Sequence, residues 1–178
     1  MIFIEKIFNE LGNYGPVILF IRTLIFLRKK KTLFYYYLFG FFINILFNQI
    51  LKKCIQEPRP SVDSKSFAMA MKYAKSKNYL GSLKDDLFGM PSGHSQSVLF
   101  STVFVFLTMK KENTNLILFY LVISLITLIQ RVKYMFHTVN QVIVGSIIGI
   151  LFAYIVYYIA SNKIMGKLTE KDDDGGPL

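Results

Sequence analysis

FGMPSGHSQSV, residues 88–98, opens an apolar run that continues to Met109. Pro91 suits the first helical turn, where its missing N–H is not needed. Ser92 can cap the free amides, and Gly93 lets the backbone come close to a ligand. A helix start with exposed N–H groups attracts anions, and His94 sets a titratable proton donor beside it. The stretch is either a plain helix cap or a phosphate site at the end of a buried helix. Its flanks favour the second. Upstream, Lys52 and Arg59 bracket KKCIQEPRP; downstream, Arg131 and His137 stand in QRVKYMFHTVNQ, and all three segments lie at ends of apolar runs.

The runs themselves define the class. With 53% hydrophobic residues, 16% aromatics and a mean hydropathy of +0.41, the chain is more apolar than a soluble domain of 178 residues needs to be. It reads as an all-α, polytopic membrane bundle of about five transmembrane helices with an N-terminal amphipathic helix. The net charge of +10 comes mostly from Lys and Arg between the apolar runs, as expected of juxtamembrane residues. Anionic membrane lipids, not nucleic acid, are the expected partners. The single cysteine, Cys54, excludes a disulfide within the chain.

Met1 to Leu11 is apolar at positions 1, 3, 4, 7, 8 and 11, the spacing of an interfacial helix. It lacks the features of a cleaved signal and is expected to be retained. Asn13 and Gly15-Pro16 are expected to break it before a first span, Val17 to Leu27, whose Arg22 must find a partner or snorkel. Thr32 to Leu51 is a second span. The connection from Lys52 to Met90 holds Arg59 between Pro58 and Pro60, which disfavour helix, and then Phe67, Ala70, Met71 and Ala74 at the spacing of a short helix over the site. Pro91 to Met109 is a third span and Leu116 to Ile129 a fourth. The fourth is shorter than the roughly 20 residues a bilayer core takes, so it is expected to extend through Gln130 and Arg131 into a polar cavity or to be shielded from lipid. Val142 to Ala160 is the fifth, with Gly145 and Gly149 in GxxxG spacing for close helix contact. The membrane domain is taken as 1–162, and 163–178 as a solvated tail ending EKDDDGGPL.

Counting alternations puts 52–90 and 131–141 on one membrane face, together with both histidines, His94 and His137. Phosphoryl transfer needs charge neutralised and the attacking and leaving atoms held in line, and clustered cations with two imidazoles can do both. One His can attack phosphorus and the other can protonate the leaving oxygen, giving a bell-shaped pH profile. Arg131 and His137 would point differently on one continuous helix, so a turn through 132–136 is expected; His137 and Gln141, four apart, can share a helical face. Metal ligation is the competing use of two histidines. The carboxylates on this face, Glu57, Asp63, Asp85 and Asp86, have no ligand spacing to either His, so no metal is assigned.

The ordered set Lys52-x6-Arg59-Pro60, Pro91-Ser92-Gly93-His94 and Arg131-x5-His137 resembles the signature of the type 2 phosphatidic acid phosphatase superfamily. These are metal-independent membrane phosphatases, related in their helical core to vanadium haloperoxidases. The resemblance implies that Lys52, Arg59 and Arg131 bind phosphate, with the amides of Ser92 and Gly93 completing the cradle. It makes His137 the nucleophile that forms a phosphohistidine and His94 the general acid, with no cofactor. The third motif usually begins Ser-Arg and here reads Gln130-Arg131. The acidic residue that usually orients the nucleophile is here Gln141, whose carbonyl can fix the tautomer but carries no charge to stabilise an imidazolium. H-T-x-x-Q-V-x-x-G and F-G-M-P-S-x-H-S-Q are similar to the dolichyl diphosphatase branch, and a Gln at this place also resembles glucose-6-phosphatases. The substrate so implied is a lipid-linked polyprenyl or dolichyl diphosphate. The alternatives are broad lipid phosphate or glucose-6-phosphate hydrolysis, and a phospholipid-binding pseudoenzyme. The resemblance also implies an endomembrane, ER-like, or plasma membrane location, with the site on the lumenal or extracellular face.

Overall fold

The computed structural model describes residues 2–65, 67–69, 71, 87–109 and 114–164. Among the described residues there are five long helices: α1 (Ile2–Leu27), α2 (Lys31–Ile55), α3 (Gly93–Thr108), α4 (Thr114–Lys133) and α5 (Val139–Ile164). Four of them, all but α3, are long and apolar enough to cross a membrane. The chain is an all-α polytopic membrane bundle. Its outer faces are apolar, with Phe42, Leu46 and Ile50 on α2, Leu121 and Leu125 on α4, and Ile143, Ile147 and Leu151 on α5 all exposed. Such a belt is unstable in water and at home in lipid.

α3 is the central element. At 16 residues it is short for a span, but α1, α2, α4 and α5 all pack on it. Its Phe100 and Phe104 join Tyr37, Phe41, Ala153 and Val156 in one core cluster, while Val98 and Val105 join Leu19, Tyr120 and Ile123 in another. Its buried hydroxyls are paired: Ser101 with Tyr37 and Thr102 with Ser124, both at 2.7 Å. α5 comes closest through the expected glycine pair. A Cβ at Gly145 would strike the Ser92 backbone and one at Gly149 the Gln96 carbonyl, so only glycine permits this approach.

The N-terminus departs from expectation. Asn13 and Gly15-Pro16 do not break it: α1 is one continuous helix with Pro16 inside, and the separate amphipathic segment is its first three turns. In lipid a broken helix would leave several backbone groups unsatisfied, whereas a proline within a helix removes one donor. Packing supplies the rest, since Gly12 faces Gln130 and Gly15 faces Thr127 of α4 with no room for a Cβ. The longer span also relocates Arg22. It is not mid-span but near the C-terminal end of α1, where it is exposed and lines a cleft with Arg28, Lys29 and Lys30. Cys54 is exposed on α2. Residues 64, 65, 67–69 and 71 are helical, as the spacing from Phe67 predicts; Ala70, Ala74 and the tail beyond Ile164 lie outside the described residues.

Candidate active site

Two of the three motif segments are joined by backbone pairing. α2 ends at Gln56, a left-handed residue (φ 54°), and the chain then runs extended through Pro58. Here the Arg59 amide donates to the Leu87 carbonyl at 3.2 Å and the Gly89 amide donates to the Glu57 carbonyl at 2.7 Å. The third segment is attached to the second, because the Ser92 amide donates to the Gln141 carbonyl at 3.0 Å. The expected turn after Arg131 is present: α4 ends at Lys133, Met135 takes φ 56°, and the amides of Phe136 and His137 both donate to the Arg131 carbonyl at 3.1 Å. α4 therefore carries Gln130 and Arg131 within its last turns, extended as expected.

Lys52, Arg59, Gly93, His94, Arg131 and His137 line one cavity of about 500 Å³. Lys52 is 5% exposed and Arg131 4%, so two charged side chains have been taken out of water, and His137 beside them is 2% exposed. Arg131 is immobilised. Its Nε donates to Gln130 Oε1 at 2.6 Å, its Nη2 donates to Asn13 Oδ1 at 3.2 Å, and its guanidinium lies 4.4 Å from the Phe136 ring centre. Gln130, standing where Ser is usual, is itself held by donating to Asn9 Oδ1 at 2.8 Å.

His137 donates from Nδ1 to the Gly89 carbonyl at 2.9 Å, with Gln141 Oε1 at 3.2 Å. That places its proton on Nδ1 and leaves the Nε2 lone pair available. Burial first, then the Arg59 guanidinium, with Lys52 and Arg131 adding, hold this imidazole down at about 4, against the raising effect of Gln141. The ring is therefore neutral and nucleophilic at ordinary pH. His94 donates from Nε2 to the Asn13 carbonyl at 3.2 Å and faces the same cavity.

Ser92 caps α3, as expected, and does not line the cavity. It is fully buried behind the cavity wall: its Oγ accepts from the Ser95 amide at 3.4 Å and from Ser95 Oγ at 2.8 Å, while its own amide is taken by Gln141. Ser92 is thus a helix cap, and Gly93 alone of the pair lines the cavity. A Cβ at Gly93 would lie 3.0 Å from Asn48 Oδ1, so glycine keeps the cradle open.

Four residues were not singled out as site residues. Asn13 touches both Arg131 and His94. Asn48 lines the cavity and donates to the Pro91 carbonyl at 3.2 Å and to Gln96 Oε1 at 2.7 Å. Gln96 in turn donates to Asn44 Oδ1 at 2.8 Å. Glu57 accepts from Gln141 Nε2 at 2.7 Å. A signal was available for the asparagines: Asn44, Asn48 and Lys52, like Asn9 and Asn13, recur every four residues within apolar runs, which marks one polar face on a membrane helix.

A helical membrane protein with a buried cationic cavity and two imidazoles at its edge has the chemistry to hold an oxyanion. The chain belongs to the PAP2 superfamily, whose family model matches residues 33–165. It is 31% identical over 163 residues to dolichyldiphosphatase 1 of Homo sapiens, an alignment covering 84% of this chain and 60% of that protein. Against dolichyldiphosphatase 1 of Plecturocebus moloch it is 30% identical over 173 residues, covering 89% and 65%. Against the chloroplastic lipid phosphate phosphatase epsilon 1 of Arabidopsis thaliana it is 28% identical over 173 residues, covering 94% and 54%. The chain thus spans less than two thirds of the length of these relatives. No solved structure matches it.

Proposed function

We propose that this protein is an integral membrane phosphatase that removes phosphate from a lipid-linked diphosphate of the polyprenyl or dolichyl class, through a phosphohistidine on His137. The observation that carries the proposal is the two-sided cavity. One end has Lys52, Arg59, Arg131 and both histidines; the other has Val17 and Phe20 of α1 and Phe41 and Ile45 of α2. Val17 is 52% exposed and Ile45 36%, on the outer surface that faces lipid, so an acyl or prenyl chain can lie between α1 and α2 while its phosphate reaches the cations. A sugar phosphate would leave that apolar end unfilled, and the names of the relatives favour lipid substrates as well.

In the proposed reaction the Nε2 lone pair of His137 forms the N–P bond as the P–O bond to the leaving lipid phosphate breaks. His94, as the imidazolium, gives its Nδ1 proton to the departing oxygen while its Nε2–H stays on the Asn13 carbonyl, and the cations hold the charge on the transferring group. Water then cleaves the N–P bond, losing its proton to His94 and releasing inorganic phosphate. An ER-like membrane, with the site on the lumenal face, fits this assignment.

The test is phosphate release by detergent-purified protein, with EDTA present, from polyprenyl diphosphate, polyprenyl monophosphate, phosphatidic acid and glucose 6-phosphate. Preferential release from the diphosphate that His137→Ala abolishes is the expected result. An unchanged rate in His137→Ala removes the phosphohistidine. Absence of release from all four substrates leaves a lipid-binding protein without turnover.

A further inference from the structure

The missing acid beside His137 has a counterpart one side chain further back. Gln141 Nε2 donates to Glu57 Oε1 at 2.7 Å and to the Pro58 carbonyl at 3.0 Å. At the other end of the same amide, Gln141 Oε1 lies 3.2 Å from the Thr138 amide, which donates to it, and 3.2 Å from His137 Nδ1. A carboxylate and a carbonyl can only accept, and a backbone N–H can only donate. The amide can therefore sit only one way round, with its oxygen toward the imidazole. Gln141 is fully buried, so no solvent competes for either end.

We infer that Glu57 is a positioning residue for His137, delivering a carboxylate's charge and orienting power through the Gln141 amide. The inference rests on His137 being the nucleophile proposed above. As Nε2 bonds to phosphorus the ring keeps its Nδ1 proton and becomes cationic, while the electron pair of the broken P–O bond leaves with the oxygen. Among the described residues, the other ionisable side chains facing His137 are Lys52, Arg59, Arg131 and His94, all of which oppose that charge. Glu57 is the carboxylate linked to the ring, and its pull on Nε2–H of Gln141 polarises the amide and strengthens its oxygen as an acceptor. The charge absent from position 141 is thus supplied from the first motif.

Glu57→Gln tests this with the hydrogen bond kept, because the new amide oxygen still accepts from Gln141. In the full chain in detergent, kcat should fall about tenfold, the equivalent of one pKa unit of differential stabilisation. KM should stay within about twofold, since Glu57 does not line the cavity. Loss of a nearby negative charge disfavours imidazolium, so the acid limb of kcat/KM should move to lower pH by about one unit. Gln141→Asp alone should be poor, with two carboxylates crowded together, and Glu57→Gln combined with Gln141→Asp should recover at least tenfold over it. The Nδ1 proton resonance of His137, read by NMR without turnover, should move upfield in Glu57→Gln. An unaltered kcat and acid limb in Glu57→Gln overturns the inference while leaving the phosphatase assignment standing. So does a loss with no movement of limb or resonance, which would mark Glu57 as structural only. A wild-type protein whose activity is indifferent to His137→Ala sinks both together.

Discussion

Nδ1 of His137 lies 2.9 Å from the carbonyl oxygen of Gly89, which joins the third motif to the segment just before the second. Gly89 is itself held by its amide on Glu57, so a single residue without a side chain links all three motifs. A Cβ there would strike the buried Gln141 side chain, with its carbon and nitrogen 2.6 Å away. Gly89→Ala should lower kcat by about ten- to a hundredfold, the usual consequence of a small misplacement of a reacting group. Steady-state kinetics on the folded variant checks this, and wild-type kcat would show that His137 tolerates displacement.

The pH dependence follows from His137. As the proposed nucleophile it works as the neutral ring, and burial and Arg59 hold its pKa down at about 4, below the ordinary 6.5. Lowering pH through about 4 protonates Nε2 and removes the nucleophile, so the acid limb of kcat/KM should be centred near 4, with loss of the His94 proton setting the opposite limb of the bell. A bound phosphate offsets the cations and favours imidazolium, so the acid limb of kcat should lie higher than that of kcat/KM. A limb of kcat/KM centred at 6.5 would contradict the electrostatics of the cavity.

Asn13 should matter although it belongs to no motif. Its Oδ1 restrains Arg131, and its backbone carbonyl restrains His94. Asn13→Ala frees the guanidinium and should raise KM by about tenfold, with a smaller change in kcat, as expected when one charge-assisted hydrogen bond worth about 1.5–3 kcal/mol is lost. Asn13→Asp should be worse, because its carboxylate would compete with phosphate for Arg131. Kinetics with a saturable substrate separates the two variants.

Gly145 tests the α3–α5 contact. Gly145→Val drives a side chain into the Ser92 backbone and should destabilise the protein by about 1–3 kcal/mol. Thermal unfolding in detergent reads the loss, and activity should fall with it, because Ser92 caps the helix that presents Gly93 and His94. A variant as stable as wild type would mean that α5 can withdraw without cost.

The sequence carried most of the bundle. Apolar runs gave the helices from α2 onward, the incompatible directions of Arg131 and His137 on one helix gave the turn at 132–136, and Gly145 with Gly149 gave the closest helix contact. α1 was misread because Asn13, Gly15 and Pro16 are punctuation in a soluble chain. In lipid the demand for backbone hydrogen bonds overrides them, and the glycines serve as contact points on α4. The cluster of Lys52, Arg59, Gly93, His94, Arg131 and His137 was legible from motif spacing. Of the two uses the sequence allowed Ser92, the fold adopts the cap, because its own amide is taken by the Gln141 carbonyl. Glu57 could not have been connected to His137 by spacing, as it and Gln141, 84 positions apart, are brought together only by the folded chain.

The pairing of residues 57–59 with 87–89 closes the chain on itself at the foot of the long connection. Whatever lies between Pro60 and Leu87 leaves and returns through one narrow neck, and the cost of closing such a loop grows only slowly with its length. Segments could lengthen, shorten or be exchanged there without moving Arg59 or Gly89.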